Sequence, residues 1–580
     1  MMRAPKPYIE KYPDGVLDAT AYRPACVASV GSGEGSEDCL TLNVWAPATR
    51  PSTLLPVRVF LHGGGYQVGT GSDPMVNGCA LVSDSDIVQV TLNYSLGVLG
   101  FLALPELRDE AAGGTTGNWG LLDQRLALQW VRDNIAAFGG DPARVTLTGQ
   151  SAGAYSTILH TVMPGSVGLF SAIEPLSGSM DAMAVDFLGD AFFKAGRIVE
   201  ALNCSAHGYA SLADCLMGVP AADLVSAKVA VQRSARDDII PVVDGVEMPK
   251  HPLLMMRDTS IPAVPAFVHA TAREGVLEVL DLISDALSYI KDISSASFEE
   301  LYGVLSYVVP DGETVLAIIQ ALVPIPEAFV DRFHAQYNNA THGNYLEAAI
   351  AAQTDNAYLC TSRRAARAYA KKGAAVRFMV TDMALPPSTC ISAIGAGVPG
   401  LGVAYLLGAF HGYDLGGSYL MPLSPTYQAF CPYFTDAEKN ASAFLAGVSS
   451  AFAHTRVPLP PRGRIFQAAA TDVLRNLTSW PAWTAASEPT LWFDVNEPHF
   501  VDGMATMDKT CKLWDDMWEY MVARGSEFDV PVVDASPPPS AAGRPTGKRP
   551  RPRRALRSPP ARALRRPPPL RRVPSSSKRT

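Results

Sequence analysis

The residue with the clearest chemical potential is Ser151, which lies in a GxSxG pattern between Gly149 and Gly153. The β-branched stretch 144–148 before it favours a strand, and the small residues after it favour the start of a helix. A serine on so tight a turn forms a nucleophile elbow, in which a Cβ at either glycine would collide with the neighbouring strand or helix. The pattern predicts a nucleophilic serine, although a glycine-bounded turn without chemistry has the same five-residue form.

A glycine run at His62, Gly63, Gly64 and Gly65 could supply the second part of such chemistry. The run follows the apolar stretch 55–61, which is typical of a buried strand. Consecutive glycines let bare backbone N–H groups approach the oxygen of a tetrahedral intermediate closely. A flexible glycine loop is the alternative, but it does not account for the strand immediately before the run.

The segments around these motifs indicate what must position them. Residues 87–94 have the pattern of a second buried strand, and residues 120–137 carry apolar side chains near helical spacing. Strand, helix, strand and elbow in this order are typical of a parallel α/β sheet. Because 48% of the residues are hydrophobic and 18% are charged, the chain has the material for one large core.

Ordered sequence blocks around the two motifs resemble the type-B carboxylesterase/lipase family, which includes cholinesterases. The resemblance implies an α/β-hydrolase fold, with a central, mostly parallel sheet flanked by helices and with helical insertions at 186–227 and 276–345 over the active site. It also implies one catalytic domain over residues 1–530, whose N-terminal edge strands are missing, as in a truncated gene model. The clearest blocks are residues 36–47, 62–65, 93–102, 117–131 and 138–145.

An activated serine needs a base, and the base needs an acid to orient it, in the chain order serine, acid, histidine. The resemblance makes Glu274 the acid, because it precedes a glycine after an apolar stretch, and His411 the base, because it ends an uncharged run. Glu278 and Asp281 are alternatives for the acid. The other histidines that follow the serine at a useful distance are His334, His342, His454 and His499. The expected oxyanion donors are the N–H groups of Gly64, Gly65 and Ala152.

The expected activity is that of a serine carboxylesterase, which cleaves uncharged carboxylic esters through an acyl-enzyme intermediate without metal or cofactor. Lipase activity on longer-chain acylglycerols is one alternative, and a non-catalytic cholinesterase-like adhesion or interaction protein is another. The expected partner is a small-molecule ester and not a nucleic acid. No membrane span is expected, because the uncharged stretch 391–410 contains five glycines and a proline and ends at His411.

The cysteines and sequons favour a secreted glycoprotein, although residues 1–18 show no apolar leader. The resemblance pairs Cys26 with Cys39, Cys204 with Cys215, and Cys360 with Cys511. Cys390 and Cys431 could form a fourth bridge, and Cys79 would remain free. The sequon at Asn93 lies in a predicted buried strand and is expected to stay unmodified, unlike those at Asn203, Asn339, Asn440 and Asn476.

The last part of the chain, residues 535–580, has no acidic residue and contains 14 lysines and arginines among many prolines. This composition predicts a disordered basic tail. It could bind nucleic acid or an anionic surface, but without aromatic residues or a folded module the signal is unspecific. A read-through or mis-spliced end is the alternative.

Three departures from the family pattern bear on the site. The segment between Cys26 and Cys39 has no aromatic ring that could stack on a quaternary ammonium, which argues against choline esters. Gln150 replaces the glutamate that most relatives have before the nucleophile, which removes a negative charge near His411. Ser95 replaces an arginine that would pair with Glu37, a destabilising change if that carboxylate is buried.

Overall fold

The computed structural model describes most of the chain as far as residue 525. The described residues are 2–7, 15–29, 34–49, 51–179, 185–204, 209–232, 237–257, 263–283, 308–323, 325–382, 436–459, 463, 477, 479–484, 486–494 and 497–525. His411, Cys390, Cys431, Asn476, the stretch 391–410 and the tail 535–580 lie outside these residues.

The described residues form eleven strands, sixteen α-helices, one π-helix and six short 3-10 helices. The strands are β1 Leu42–Trp45, β2 Leu55–Leu61, β3 Val88–Leu92, β4 Gly140–Gln150, β5 Ala172–Leu176, β6 Asp186–Phe187, β7 Val242–Val243, β8 Ala266–Thr271, β9 Val376–Thr381, β10 Pro489–Phe493 and β11 His499–Asp502.

The helices flank these strands in sequence. They are α1 Cys79–Ser85, α2 Gly97–Phe101, α3 Trp119–Asn134, α4 Ala152–Val162, α5 Leu188–Leu202, α6 Leu212–Gly218, α7 Ala221–Val231, α8 Pro252–Arg257, α9 Val276–Leu282, α10 Gly312–Leu322, α11 Val330–Gln336, α12 Asn339–His342, α13 Tyr345–Gln353, α14 Cys360–Lys371, α15 Asp436–Thr455 and α16 Gly503–Gly525, with the π-helix Thr354–Leu359 between α13 and α14. The 3-10 helices are Pro74–Val76, Pro105–Leu107, Glu110–Ala112, Ile135–Phe138, Pro164–Ser166 and Glu327–Phe329.

Nine strands form one sheet in the order β1-β3-β2-β4-β5-β8-β9-β10-β11. The neighbours from β3 to β10 run parallel, and only the end strands β1 and β11 pair antiparallel. Strands β2, β3, β5 and β8 are buried along nearly their whole length, as expected when helices cover both faces of a parallel sheet. The α/β-hydrolase fold expected from the sequence is therefore confirmed, and the stretch predicted as a strand at 55–61 is β2.

One face of the sheet carries a buried polar network in an otherwise apolar core. Arg58 on β2 donates to Glu174 on β5 at 3.0 Å, and neither side chain is exposed. Ser449 of α15 donates to the same carboxylate, and His269 Nε2 lies 3.5 Å from it. Burial lowers the pKa of His269 to about 4, so Arg58 is the cation that balances Glu174.

The predicted helical insertion at 186–227 begins with the two-residue strand β6 and contains α5, α6 and most of α7, which continues to Val231. Strand β6 pairs with β7 in a separate two-stranded sheet. Asn118, at the start of α3, holds the second of these strands, because its amide donates to the Val242 carbonyl at 2.9 Å and accepts from the Val242 N–H at 3.0 Å. Strand β7, which follows the inserted helices, therefore attaches the insertion to the start of α3.

Three disulfides join Cys26 to Cys39, Cys204 to Cys215, and Cys360 to Cys511. These are the pairs implied by the resemblance. Cys79 is a free, exposed thiol. Asn93 is 5% exposed, and its side-chain amide donates to the Pro24 and Cys39 carbonyls at 3.1 Å, so its sequon is unavailable for glycosylation in the folded protein. Within the described residues, no helix has the length and apolar character to cross a membrane.

Removing one partner of the Arg58–Glu174 pair should destabilise the fold strongly. We expect Arg58→Met to lower the free energy of unfolding by about 3–5 kcal/mol, because it leaves Glu174 as a buried charge without its cation. Urea unfolding followed by circular dichroism measures the loss. Arg132→Met is the matched control, since its pair with Asp133 is solvent-exposed and such pairs contribute little to stability. Equal losses in the two variants would contradict the assigned role of the buried pair.

Candidate active site

Ser151 lies between the end of β4 and the start of α4, as the nucleophile-elbow pattern predicts. Its backbone has φ 58° and ψ -124°, a strained conformation for a residue with a side chain, at a cost of about 1–3 kcal/mol. The turn is held from both sides, because the Ser151 N–H donates to the Leu176 carbonyl and the Ser151 carbonyl accepts from the Tyr155 N–H, each at 3.0 Å. The strained turn places the serine at the positive end of the α4 dipole.

Glycines let the elbow fit against its neighbours. A Cβ on Gly149 would lie 2.3 Å from the Gly153 carbonyl oxygen, and one on Gly153 would lie 2.0 Å from the Leu61 carbonyl oxygen. Both distances are far below van der Waals contact, which agrees with the steric reason given for the motif. A Cβ on Gly63 would lie 3.0 Å from the Ser151 Cβ, so the glycine run lies directly against the serine.

The loop 62–67, which we call the glycine loop, has a hydrogen-bond donor for each of its six carbonyls. Three bonds hold the carbonyls of Gly63 and Gly64: His62 Nδ1 bonds to the Gly63 carbonyl at 2.9 Å, and the N–H groups of Gln67 and Val68 bond to the Gly64 carbonyl at 2.9 and 3.1 Å. Each of the other four carbonyls accepts one bond: that of His62 from the Tyr94 hydroxyl at 2.8 Å, that of Gly65 from Gln67 Nε2 at 3.2 Å, that of Tyr66 from the Gly97 N–H at 2.7 Å, and that of Gln67 from the Ser29 N–H at 2.7 Å.

These bonds also fix the direction of the backbone N–H groups. The C=O and N–H of one peptide plane point in opposite directions. The Gly64 N–H shares a plane with the Gly63 carbonyl, and the Gly65 N–H shares a plane with the Gly64 carbonyl. Each N–H group therefore points away from the donor bound to that carbonyl. Gly64 and Gly65 have φ of 109° and 60°, values that glycine adopts without the cost of a Cβ. The Ala152 N–H is the first of α4 and has no acceptor within the helix.

Glu274 lies just past the carboxyl end of β8 and is fully buried. The Thr271 N–H donates to its carboxylate at 2.6 Å. The following Gly275 is required by packing, because a Cβ there would lie 2.6 Å from the Ile350 carbonyl oxygen. Since β4, β5 and β8 are parallel neighbours, Ser151 and Glu274 both lie at the carboxyl edge of the sheet, where ligands of open α/β sheets bind.

The two alternatives for the acid lie farther along the chain. Glu278 is half-buried on α9 and accepts a hydrogen bond from the Tyr358 hydroxyl. Asp281 is in the same helix. Burial and the nearby Glu278 raise the pKa of Tyr358 well above its usual value, which keeps the hydroxyl protonated as a donor. Glu278 is thus engaged by Tyr358 one helical turn after Glu274.

Four of the five candidate bases are described, and each contacts a group other than Ser151. His342 bonds to the Gln336 carbonyl at 3.2 Å, His454 to the Ser85 carbonyl at 3.0 Å, His499 to the Glu497 carbonyl at 2.9 Å, and His334 lies 3.5 Å from Glu313. His411 lies outside the described residues, and its role as the base stays a prediction.

Two site residues were not singled out by sequence analysis as functional side chains. His62 is buried and stacks on Tyr94 with ring centroids 4.2 Å apart, and burial lowers its pKa to about 4. It is therefore neutral near pH 7, and its Nδ1–H donates to the loop. Gln67 is 5% exposed. The only sequence signal for Gln67 is an amide side chain two residues after the glycine run, and by itself this signal is weak.

Ser95 and Gln150, the two positions at which single residues differ from the family pattern, have the following surroundings in the structure. Glu37 is exposed, so the condition for destabilisation, a buried carboxylate, is not met. The Ser95 N–H instead donates to Asp123 of α3 at 2.9 Å. Burial raises the pKa of Asp123 to about 7. Gln150 is 7% exposed and adjoins the glycine loop, because a Cβ on Gly63 would lie 2.6 Å from its Oε1.

Comparison with known proteins identifies similar sequences over most of the chain. The model of the carboxylesterase family matches residues 2–514. A para-nitrobenzyl esterase from Bacillus subtilis (strain 168) is 36% identical over 288 residues, which are 47% of this chain and 56% of that protein. An acetylcholinesterase from Bungarus fasciatus is 28% identical over 522 residues, which are 86% of this chain and 77% of that protein. The first match therefore spans little more than half of its relative.

The buried Asp123 should make stability depend on pH. Its pKa is about 7 in the folded protein and near 3.8 when solvated, so the folded state binds more protons between these values and its stability falls as pH rises. Asp123→Asn keeps an acceptor for the Ser95 N–H without the charge. We expect the stability of this variant, relative to the unmodified protein, to rise between pH 4 and 7 by at most about 1.4 kcal/mol per pH unit. Urea unfolding across this range measures the difference.

The control for this prediction is Asp223→Asn, because Asp223 is exposed. As a surface substitution, it should change the free energy of unfolding by no more than about 0.5 kcal/mol. If Asp123→Asn gave a constant difference, Asp123 would not be the buried titrating group.

Proposed function

The chain belongs to the carboxylesterase family, and from this premise we propose that it hydrolyses uncharged carboxylic esters with Ser151 as the nucleophile. The observation that carries the proposal is the contact between the strained elbow and the glycine loop. Ser151 lies against the glycine loop there, so the serine and the backbone N–H groups of the loop would serve as nucleophile and oxyanion donors. Acyl transfer needs both groups within reach of one carbonyl.

The proposed reaction consists of two acyl transfers. His411 accepts the proton of the Ser151 hydroxyl as the oxygen attacks the ester carbonyl, and the alcohol leaves with that proton. Water, deprotonated by the same histidine, then attacks the acyl-enzyme; the histidine returns this proton to the departing Ser151 oxygen, and the acid is released. Glu274 orients the imidazole and stabilises its protonated form.

The negative oxygen of each tetrahedral intermediate would bind to the N–H groups of Gly64, Gly65 and Ala152. Support for this role comes from the fixed carbonyls of the glycine loop, since N–H groups that are already aimed need no reorganisation as charge develops. One such donor contributes roughly 10²–10³ to kcat in a serine hydrolase. The α4 dipole adds to the same stabilisation.

Uncharged esters are the proposed substrate class. The segment closed by the Cys26–Cys39 disulfide has no aromatic side chain in its sequence to bind a quaternary ammonium. Para-nitrobenzyl esters, for which the 36% identical relative is named, have an uncharged alcohol part. The residues proposed for the chemistry, Ser151, Glu274 and His411, are all present, which favours an enzyme over a non-catalytic adhesion protein.

We also propose an oxidising, extracytoplasmic location. Three disulfides support it, because such bonds persist mainly in secreted proteins. The sequons at Asn203, Asn339 and Asn440 lie at described positions and would carry the glycans of a secreted glycoprotein.

Ser151→Ala should abolish ester hydrolysis. We expect kcat/KM for p-nitrophenyl butyrate to fall by at least about three orders of magnitude, because the acyl-enzyme cannot form. Release of p-nitrophenolate measures the rate, and acetate, butyrate and palmitate esters give the acyl-length profile that separates an esterase from a lipase. The control Ser211→Ala removes an exposed serine and should be fully active. Equal hydrolysis by the Ser151→Ala and unmodified proteins would refute the proposal.

Glutamine substitutions distinguish between the two glutamates. Glu274→Gln should lower kcat by roughly 10³–10⁴, because a neutral amide no longer holds the histidine in the required tautomer and orientation. Glu278→Gln, one turn along α9, should retain kcat within about one order of magnitude. Both values come from initial rates with p-nitrophenyl butyrate. The reverse ranking would identify Glu278 as the acid.

A further inference from the structure

The segment that returns from the helical insertion is anchored at Asp238. Lys228 of α7, which is 1% exposed, donates to the Asp238 carboxylate at 2.8 Å. Lys194 of α5 donates to the Asp238 backbone carbonyl at 3.1 Å. The two inserted helices therefore hold this position by two charge-assisted hydrogen bonds, which are stronger than neutral ones. The next residue, Ile239, is fixed as a result.

The glycine loop is bound to that fixed residue by a single side chain. Gln67 Nε2 donates to the Ile239 carbonyl at 2.8 Å and to the Gly65 carbonyl at 3.2 Å. Because both partners are carbonyl oxygens, the amide nitrogen must face them and the orientation of the group is determined. The side chain is 5% exposed, so water does not readily replace these bonds.

We infer that Gln67 is a positioning residue, through which the inserted helices set the geometry of the oxyanion donors. The inference rests on the proposed esterase function. Gln67 is the described donor to the Gly65 carbonyl, whereas the carbonyls of Gly64 and Tyr66 are held by backbone N–H groups. A side-chain substitution at Gln67 therefore releases the plane of the Gly65 carbonyl and also detaches residue 67, whose backbone N–H donates to the Gly64 carbonyl, from Ile239.

Gly65 is the point at which such a release has most effect. No atom of the described residues lies within 4 Å of its Cβ position, so these residues do not restrict it there. Glycine is also conformationally permissive. The Gly65 N–H shares its peptide plane with the Gly64 carbonyl, which accepts from the N–H groups of Gln67 and Val68. When the Gln67 side chain no longer binds the Ile239 and Gly65 carbonyls, the Gln67 backbone N–H can shift, and the plane that contains the Gly65 N–H shifts with it. A misplacement of about 1 Å at a catalytic group can cost roughly 10² in rate.

The transition state depends on donor geometry more than the ground-state ester does, which gives the inference a kinetic signature. An interaction made only in the transition state lowers kcat and kcat/KM equally and leaves KM unchanged. A loss of packing alone would lower thermal stability without this separation. The two roles of Gln67 can therefore be distinguished.

The test is Gln67→Met in the full-length chain, with p-nitrophenyl butyrate as substrate. This substitution keeps the length of the side chain and removes both donors. We expect kcat to fall roughly tenfold to hundredfold, with KM changed by no more than about twofold. The Ki of a trifluoromethyl ketone, which forms a tetrahedral adduct with the serine, should rise by the same factor as kcat/KM falls.

Gln336→Met is the matched control. Gln336 is also a glutamine that donates to a distant backbone carbonyl, that of Thr510 at 2.9 Å, but its amide makes no hydrogen bond to a described residue of the proposed site. It should lower the thermal midpoint without changing kcat. If Gln67→Met fails to fold, Gln67→Asn, which keeps a polar amide but is one methylene shorter, should show the same loss of kcat.

An unchanged kcat in a folded Gln67 variant, while Ser151→Ala is inactive, would overturn this inference and leave the proposed function intact. An equal loss of kcat in Gln67→Met and Gln336→Met would overturn it as well. Full activity of Ser151→Ala would instead refute the proposed function itself.

Discussion

The site depends on the constraint that every carbonyl of the glycine loop has a donor. Glycines make this loop possible by allowing positive φ at Gly64 and Gly65, but they also give it many other conformations. The six occupied carbonyls select one of these conformations. As each peptide plane is fixed, its N–H is fixed as well, and the loop becomes a rigid set of donors beside Ser151.

The surrounding sheet and helix hold Ser151 in its strained backbone conformation. A non-glycine residue at φ 58° persists only where its surroundings determine its conformation. Here Leu176 of β5 and the first turn of α4 bind the backbone on both sides, and the absence of side chains at Gly149 and Gly153 lets strand and helix approach. The same closely packed sheet buries the Arg58–Glu174 pair, which connects β2 to β5 across β4.

Sequence patterns predicted the local elements well because their causes are local. The apolar run at 55–61 coincides with β2, and the GxSxG frame forms the expected strand, turn and helix. Contacts between distant residues were not visible in this way. The Gln67–Ile239 bond spans 172 residues, and the Arg58–Glu174 pair spans 116. The periodicity of a sequence does not predict such a pairing, because the pairing depends on which strands become neighbours in the folded sheet. The burial that shifts the pKa of Asp123 depends on that same assembly.

Helix α4, which follows the serine, is buried at every residue. A helix without a solvent-facing side tolerates few polar or bulkier replacements, since each would disturb packing on some side. Sequence change is therefore expected to be slower in the helix that follows Ser151 than in the inserted segments. Differences in ligand preference between proteins with this fold would then arise mainly from substitutions in the inserted segments, and helix α4 would change little.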